Sequence, residues 1–255
     1  FWTHFILPDS GARIETSLAF REIGTAILAE RHHYFEDLCL YFYREGKPIA
    51  FWPASLTWDL DEGFEVSAFS YPLIEPLVSA AASDGDRRFV ADAIEKAVAA
   101  LMQLPGIKPI RFALQVDTYC RQLTYLGRRM SRLASTSFCD FESYVNTTVS
   151  EETAWLSIRK SYRSLIKKAQ KQMNVTIHES SEGNAVETFR WLHKTASGRE
   201  TRGDASWEAH RESLDRGECL IVIVALDGTP VGGSLVLQNA KHALYFSGAY
   251  SRDLM

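Results

Sequence analysis

The chain has 255 residues, 46% of them hydrophobic and 24% charged, and its 28 Lys and Arg against 32 Asp and Glu give a net charge of −4. This composition excludes a disordered chain, and the length allows one large domain or two of ordinary size. The near-neutral charge gives no global reason to expect nucleic-acid binding. The longest unbroken apolar run, Cys219–Leu226, is shorter than the ~20 residues of a membrane-spanning helix.

The cysteines and the N-terminus bear on the compartment. The chain begins at Phe1 rather than Met, so its sequence carries no information on a targeting signal. The cysteines, at positions 39, 120, 139 and 219, lack the C-x-x-C spacing of many metal and redox sites. Cys39 and Cys219 lie in apolar runs, where a buried thiol acts as a small hydrophobic side chain. These features predict a protein of the reducing cytoplasm.

Hydrophobic periodicity predicts a mixed α and β protein. In the first half it predicts a helix over 12–30, a hairpin over 38–54, a strand over 64–69, a helix over 86–103 and a buried strand over 109–116. In the second half it predicts an amphipathic helix that begins near Ser150 and includes 155–173. A short strand over 175–177, helices over 187–194 and 207–215, and a meander of strands over 219–226, 230–238 and 242–249 follow.

Two hairpin turns repeat one pattern. Glu45-Gly-Lys-Pro-Ile-Ala50 and Asp227-Gly-Thr-Pro-Val-Gly232 both read acidic, Gly, polar, Pro, branched aliphatic, small. Each follows an apolar strand and opens another, and the elements around them come in a similar order. The pattern predicts a tandem duplication with a first copy at 1–145 and a second at 146–255. The second copy would stop unfinished at Met255, because the helix and strand that follow in the first copy are not in this sequence.

The strongest functional signal is the helix over 155–173, whose two sides differ in chemistry. Apolar residues gather on one side. The opposite side carries six cations and no acid: Arg159, Lys160, Arg163, Lys167, Lys168 and Lys171. Six like charges on a short helix repel one another, so this face indicates a site for phosphate, pyrophosphate or a nucleic-acid backbone. A face that is merely solvated is the alternative interpretation.

These residues resemble a known family. The run over 158–171, IRKSYRSLIKKAQK, and the strand after it are similar to the basic helix and strand that open the second domain of FemAB-type aminoacyltransferases. The later segments 189–194, 198–202, 207–214 and 219–249 resemble that family in order and spacing. The resemblance covers about 146–255, and the first half only through the hairpin repeat.

The resemblance implies an α+β fold of two tandem GNAT-like domains with mixed sheets, as in acyl-CoA N-acyltransferases, the second one incomplete. It implies a cytoplasmic enzyme that transfers an aminoacyl or acyl group to an amine of a peptidoglycan or polysaccharide precursor. Basic side chains on this helix hold the precursor's phosphates in that family, which points here to Arg159, Arg163, Lys167 and Lys168. Tyr245, in the last predicted strand, is a further candidate substrate-binding residue.

The donor and the catalytic residue stay open. The implied donor is aminoacyl-tRNA or acyl-CoA, with no permanently bound cofactor and no metal, and the substrate can lie at a membrane surface. GNAT enzymes cradle the CoA pyrophosphate in a Q/R-x-x-G-x-G/A turn, which residues 77–88 lack. Acyl transfer to an amine needs a proton acceptor and an oxyanion donor, for which Tyr245, Ser247, Glu200 and Asp204 are candidates, none singled out by spacing.

Two other functions remain alternatives. One is an acyl-CoA-dependent N-acyltransferase of exopolysaccharide or amino-sugar assembly. The other is a non-catalytic module that binds a phosphorylated ligand. The adjacent pair His32-His33 is not a metal site by its spacing, since neighbouring side chains diverge in a helix or strand.

Overall fold

The computed structural model describes residues 14–114, 123–137, 148–240 and 242–251. The helices are α1 (Leu18–Arg31), α2 (Asp84–Leu101), α3 (Tyr125–Leu133), α4 (Glu151–Ser157), α5 (Lys160–Gln172), α6 (Ala185–Ser197) and α7 (Asp204–Asp215), with a short 3-10 helix at Ile14–Thr16. The strands of the first half are β1 (Tyr34–Asp37), β2 (Leu40–Arg44), β3 (Lys47–Trp52), β4 (Ser55–Asp59), β5 (Gly63–Ser67) and β6 (Leu77–Val78). Those of the second half are β7 (Met173–His178), β8 (Cys219–Leu226), β9 (Thr229–Gln238) and β10 (Ala243–Tyr250).

The strands form sheets of order β1-β4-β5, β2-β3-β6 and β10-β9-β8-β7. All pairs of named strands are antiparallel, and the parallel contacts of the described chain are isolated bridges such as Leu73 with Phe112. Together with the helices they make an α+β fold, as the sequence predicts.

The two hairpins that share a sequence pattern also share a backbone geometry. Glu45 and Gly46 have φ angles of 49° and 76°, and Asp227 and Gly228 have 49° and 80°. Two consecutive positive φ angles are those of the turn whose twist suits a two-residue hairpin. In both hairpins the register then shifts just after the Pro of the second strand. The repeat found in the sequence is therefore a repeat in structure.

Two hydrophobic cores hold these elements. One core belongs to the first half and packs the hairpin of β2 and β3 against α2 and α3, with Trp52, Val90, Ile94 and Leu126 among its members. The other packs α6 and α7 on one face of the four-stranded sheet. Helix α1 joins this second core, because its buried side chains, such as Phe20 and Ile23, contact that core rather than the first. The predicted boundary at 145/146 lies outside the described residues and stays a prediction.

Several predicted elements differ from the structure. The helix predicted over 155–173 is two helices, because Ile158 and Arg159 are extended, with ψ angles of 134° and 135°. The hydroxyl of Ser157 donates to the Ala154 carbonyl and Ile158 is β-branched, and both features weaken a helix at this point. The strand predicted over 109–116 is wrong for residues 109–114, where only Phe112 pairs, as an isolated bridge.

The predicted burial of the thiols is confirmed for Cys219 and only in part for Cys39. Cys219 is buried and Cys39 half-buried, both as free thiols, and burial raises the pKa of each to about 12. Cys120 and Cys139 lie outside the described residues. No helix of the described chain is long and apolar enough to cross a bilayer.

Candidate functional site

The four predicted phosphate-binding cations lie together at the start of and along α5. Arg159, Lys167 and Lys168 are exposed and Arg163 is half-buried. None of the four forms an ion pair with a described acid. The Lys167 ammonium instead lies 5.7 Å from the centre of the Trp155 ring, a cation–π contact. The structure therefore gathers these cations on one surface and leaves their charge unneutralised by the described chain.

Tyr245 does not join that surface. It lies on β10, whereas α5 leads directly into β7 at the opposite edge of the sheet. Three strand spacings separate those edges, which is about 14 Å. The Tyr245 side chain is 65% exposed, and its hydroxyl lies over Gly248 on the face away from α6 and α7.

The candidate carboxylates of the loop before α7 have structural partners. Glu200 accepts from Arg190 Nε at 2.8 Å, and Asp204 accepts from Arg190 Nη1 at 2.7 Å. Both carboxylates are therefore held in an ion pair with the same guanidinium. Ser247 differs, because its buried hydroxyl has no hydrogen-bond partner among the described residues.

The structure contains a cleft that the sequence does not predict. It has a volume of about 120 Å³ and lies between α1, the turn after β5, the loop before α7 and β10. Its lining is Gly24, Ile27, Arg31, Phe69, Ser70, Tyr71, Arg202 and Phe246. Two guanidinium groups therefore face one small space that is otherwise largely apolar, the usual composition of a small-molecule site.

A carboxylate of α1 fixes the loop that carries Arg202. Glu30 accepts from the backbone N–H of Gly203 at 2.8 Å and of Ser206 at 3.1 Å, and from the Ser206 hydroxyl. It thereby caps the N-terminus of α7 from another helix, where a negative charge is favourable. Arg31 Nη2 donates to the Thr201 carbonyl at 3.3 Å. These contacts hold Arg31 and Arg202 on the same cleft although they lie far apart in the sequence.

The opposite wall of the cleft is a strained turn. Phe69 and Ser70 have φ angles of 51° and 78°, a region that costs of order 1–3 kcal/mol for residues other than Gly. Two hydroxyls support it, since Ser55 Oγ accepts from the Phe69 N–H and Ser67 Oγ from the Ser70 N–H. Such strain is concentrated at functional sites, and here it places Phe69, Ser70 and Tyr71 on the cleft.

The Arg202 guanidinium is short of partners. Its Nη1 is buried, and no described residue accepts a hydrogen bond from it or pairs with the guanidinium as an acid. Burial, and next the nearby charge of Arg31, lower the pKa of Arg202 to about 10, so it stays charged at neutral pH. A buried cation without a counter-charge is costly, and an anion in the cleft would supply that charge and the missing acceptors.

Behind Arg202 lies a group of buried polar atoms that have no hydrogen-bond partner in the part of the chain that the structure describes. They are His193 Nε2, His210 Nε2, Thr201 Oγ1 and Trp207 Nε1. Both Arg202 and Arg190 lie over the Trp207 ring, at 5.5 and 6.0 Å from its centre. Burial lowers the pKa of His193 to about 4 and that of His210 to about 3, so both rings are neutral at pH 7. Buried unpaired groups of this kind are usually satisfied by ordered water or a ligand.

Strand β10 is irregular where it meets the cleft. Its register with β9 shifts between Tyr245 and Ser247, which makes Phe246 the extra residue of a β-bulge. Phe246 lines the cleft and packs against Phe20 and Tyr71, with ring centres 5.8 and 6.5 Å apart. Bulges free backbone groups from the ladder and occur often beside active sites.

The sequence contains few features from which this cleft could be predicted. Arg202 lies in a loop that enters the family resemblance only as a segment, and Arg31 ends an otherwise ordinary helix. The interpretation of His32-His33 was also incomplete, because both rings reach one carboxylate, His32 Nδ1 at 2.5 Å and His33 Nδ1 at 3.1 Å from Asp59. His32 is the C-terminal cap of α1, with φ −108° and ψ 150°. The two residues therefore do not share one regular helix or strand, and their rings can approach the same carboxylate.

Comparisons with known proteins find similarity to acyltransferases in the second half of the chain. Residues 157–255 match the acetyltransferase (GNAT) domain family. The fold is similar to the crystal structure of FemX, with a TM-score of 0.56 and 10% identity over 94% of this chain and 78% of that one. A tandem GNAT protein of the clavulanic acid biosynthesis pathway aligns with a TM-score of 0.35 and 12% identity over 92% of this chain and 76% of that one. No curated protein matches the chain.

Proposed function

We propose that this chain is an acyltransferase that acylates an amine of an anionic cell-envelope precursor, because residues 157–255 match the acetyltransferase (GNAT) domain family. The precursor's phosphate or carboxylate group binds between Arg31 and Arg202. The observation that carries this proposal is the pair of guanidiniums on one cleft beside the β10 bulge. A guanidinium matches phosphate and carboxylate geometry with two parallel donors.

The cleft suits acyl transfer to an amine in two ways. Binding the acceptor's charged group in the cleft brings the acceptor to β10, and positioning of this kind lowers the barrier without a strong catalytic base. Backbone N–H groups freed at a bulge are donors of the type that stabilise a developing oxyanion. The hydroxyl of Ser247, which follows the bulge and has no partner in the described chain, is buried and available to a bound water.

An acyl-CoA donor agrees best with the GNAT domain. The aminoacyl-tRNA donor that the FemAB resemblance implies finds no support in the comparisons. An acyl-CoA donor also suits the alternative acceptor, an amino sugar of exopolysaccharide assembly. The non-catalytic module is disfavoured by the same domain match. Arg159, Arg163, Lys167, Lys168 and Tyr245 remain proposed contacts to the anionic precursor.

The test follows a labelled acyl group into the acceptor. The protein is given acetyl-CoA or aminoacyl-tRNA as donor, and a nucleotide-linked muropeptide or a nucleotide-linked amino sugar as acceptor. We expect transfer from acetyl-CoA to one of the two acceptors. Transfer from tRNA alone would replace the acyl-CoA proposal, and no transfer to either acceptor would contradict the acceptor class.

Variants then test the cleft. Arg202→Met and Arg31→Met should each raise the acceptor KM by about tenfold to a hundredfold, the range for a lost hydrogen bond to a charged group. The donor KM should change little. Arg199→Met is the matched control, since Arg199 is an exposed cation of the same loop that does not line the cleft. Equal acceptor KM values in all three variants would remove the cleft from the proposal.

A further inference from the structure

Helices α4 and α5 present an unusual surface, here called the α4–α5 surface. It combines the six cations at 159, 160, 163, 167, 168 and 171 with three large apolar side chains in water. Leu156, Tyr162 and Leu165 are 60%, 59% and 62% exposed. Neither helix has a buried residue. An amphipathic helix normally buries its apolar side, but no part of the described chain covers the apolar side chains of α4 and α5.

The charges of this surface are also without acidic partners among the described residues. Several arginines elsewhere do pair with acids, as Arg21 with Asp37 at 2.5 Å and Arg216 with Glu22 at 2.5 Å. The six cations of the α4–α5 surface form no ion pair with a described acid, and the sequence from 158 to 173 contains no acid. Unneutralised like charges repel, and an anionic partner would relieve that repulsion.

The apolar side chains and the lysines of α5 lie at different positions around the helix axis, as in helices that bind at a membrane surface. At 100° per residue Ile166 and Ala169 fall on the half-buried side of α5, and Leu165 lies between them and Lys168. Exposed Val175 and Ile177 of β7 continue the apolar area along the chain. Apolar side chains flanked by lysines are typical of a helix that lies in the headgroup region of a bilayer, with lysine stems extending toward the phosphates.

We propose that the α4–α5 surface binds the surface of an anionic lipid bilayer. Lys160 and Lys171, which the proposed function does not use, contact lipid phosphates, and Leu156, Tyr162 and Leu165 enter the headgroup region. The proposal goes beyond acyl transfer in the cleft, and it would keep the enzyme beside precursors that are carried on lipid. A nucleic-acid backbone would satisfy the cations equally but would leave both leucines in water, so the exposed apolar side chains favour lipid.

Binding is measured by sedimentation with vesicles of phosphatidylglycerol and phosphatidylcholine in equal amounts. We expect binding that weakens as salt is raised, and none to vesicles of phosphatidylcholine alone. Lys160→Ala with Lys171→Ala should weaken binding about thirtyfold, since each cation near the surface contributes about fivefold, and neither lysine is among the proposed precursor contacts. Leu165→Ser should weaken it by about tenfold at low and high salt alike, because its contribution is apolar.

Two controls match these changes. Lys96→Ala removes an exposed lysine of α2, and Leu60→Ser removes a leucine that is 70% exposed in a turn of the first half. Both should bind vesicles as the unchanged protein does. Circular dichroism of each variant checks that the helices remain.

Three results would overturn the proposal. One is binding to neutral and anionic vesicles alike. Another is equal binding by Leu165→Ser and the unchanged protein together with binding of a single-stranded RNA oligomer, which would indicate nucleic acid. The third is a dimer in light scattering that Leu165→Ser dissociates, without any vesicle binding. Acyl transfer to a soluble acceptor is measured in parallel, so loss of lipid binding with intact transfer separates this proposal from the proposed function.

Discussion

In the first half of the chain, one face of the hairpin of β2 and β3 packs against α2, through Phe42, Trp52 and their neighbours. Register places Phe42 opposite Ala50, and Val224 of the second hairpin opposite Gly232, at the same distance from the turn. By the same count Trp52 corresponds to Ser234. Val224 and Ser234 are only half-buried and belong to neither core. One local sequence pattern thus determines the same turn and register twice, and among the described residues a helix packs on this face only in the first hairpin.

The opposite face of the second hairpin, in contrast, is packed against helices. It is covered by α6, α7 and also α1, which precedes the first hairpin in the chain. A turn is decided by a few adjacent residues, and the cover of a sheet is decided by elements far away in sequence. The candidate cleft arises at such a distant contact, where α1 meets the loop before α7.

The largest effect should separate the corresponding positions 52 and 234. Trp52→Ala should lower the free energy of unfolding by about 3–5 kcal/mol, because it leaves a cavity under α2 and removes the hydrogen bond from Trp52 Nε1 to the Ile74 carbonyl at 2.9 Å. Ser234→Ala should change it by less than about 0.5 kcal/mol. Urea unfolding measures both. A cost at Ser234 comparable with that at Trp52 would show that the second face is covered as the first one is.

Acid should destabilise the second half first. Burial lowers the pKa values of His193 and His210 to about 4 and about 3, whereas an unfolded chain binds protons on histidine near pH 6.5. Stability that is fully present above pH 6.5 is therefore lost as the pH falls from there toward 4 and 3. Hydrogen exchange should show lost protection in α6 and α7 within this window.

The first half should resist acid to a lower pH. The groups of this half with the most strongly lowered pKa values are Asp59 and Asp86. The hydrogen bond between His32 and Asp59 and that between Ser83 and Asp86 are the main causes, and each pKa falls to about 2. Their contribution is present above pH 3.8 and is lost as the pH falls toward 2. Exchange in α2 should thus stay slow at a pH where α6 and α7 already exchange. Simultaneous loss in all three helices would mean that the halves unfold as one unit.

The contact between the halves can be weakened at Glu30. Glu30→Ala leaves the buried Ser206 hydroxyl and two N–H groups of the α7 N-terminus without their acceptor, which should cost about 2 kcal/mol. The acceptor KM should rise as well, because the loop with Arg202 loses its anchor. Glu22→Ala is the control: it breaks only the ion pair of Glu22 with Arg216, which is worth about 0–1 kcal/mol. Similar losses of stability in both variants would show that the Glu30 cap contributes no more than a surface ion pair.

These contrasts show which features the sequence could predict. Ser83 and Asp86 form the capping box of α2, and the apolar spacing after them is local, so that helix was predicted within two residues. The hairpins were predicted from their turn residues. The break at Ile158 was missed because periodicity continues across it.

The cleft could not be predicted for a different reason. Arg31 and Arg202 belong to opposite halves of the sequence, and only the packing of α1 on α7 brings them together. The basic residues of α5 were found because their charge pattern is itself local. Their partner is not, and the vesicle experiment addresses it.

The smallest effect tests whether the two turns are equivalent in energy as well as in shape. Gly46→Ala and Gly228→Ala should each cost about 1 kcal/mol, because φ is 76° and 80° there and an added Cβ is disfavoured in the left-handed region. Neither Cβ would meet another atom within 4 Å, so the cost comes from the backbone alone. Gly85→Ala, in the first turn of α2 with an ordinary φ, should be neutral or slightly stabilising. Equal losses at positions 46 and 228 would place the difference between the halves outside the turns, in what packs on each hairpin; unequal losses would locate part of it within the turns themselves.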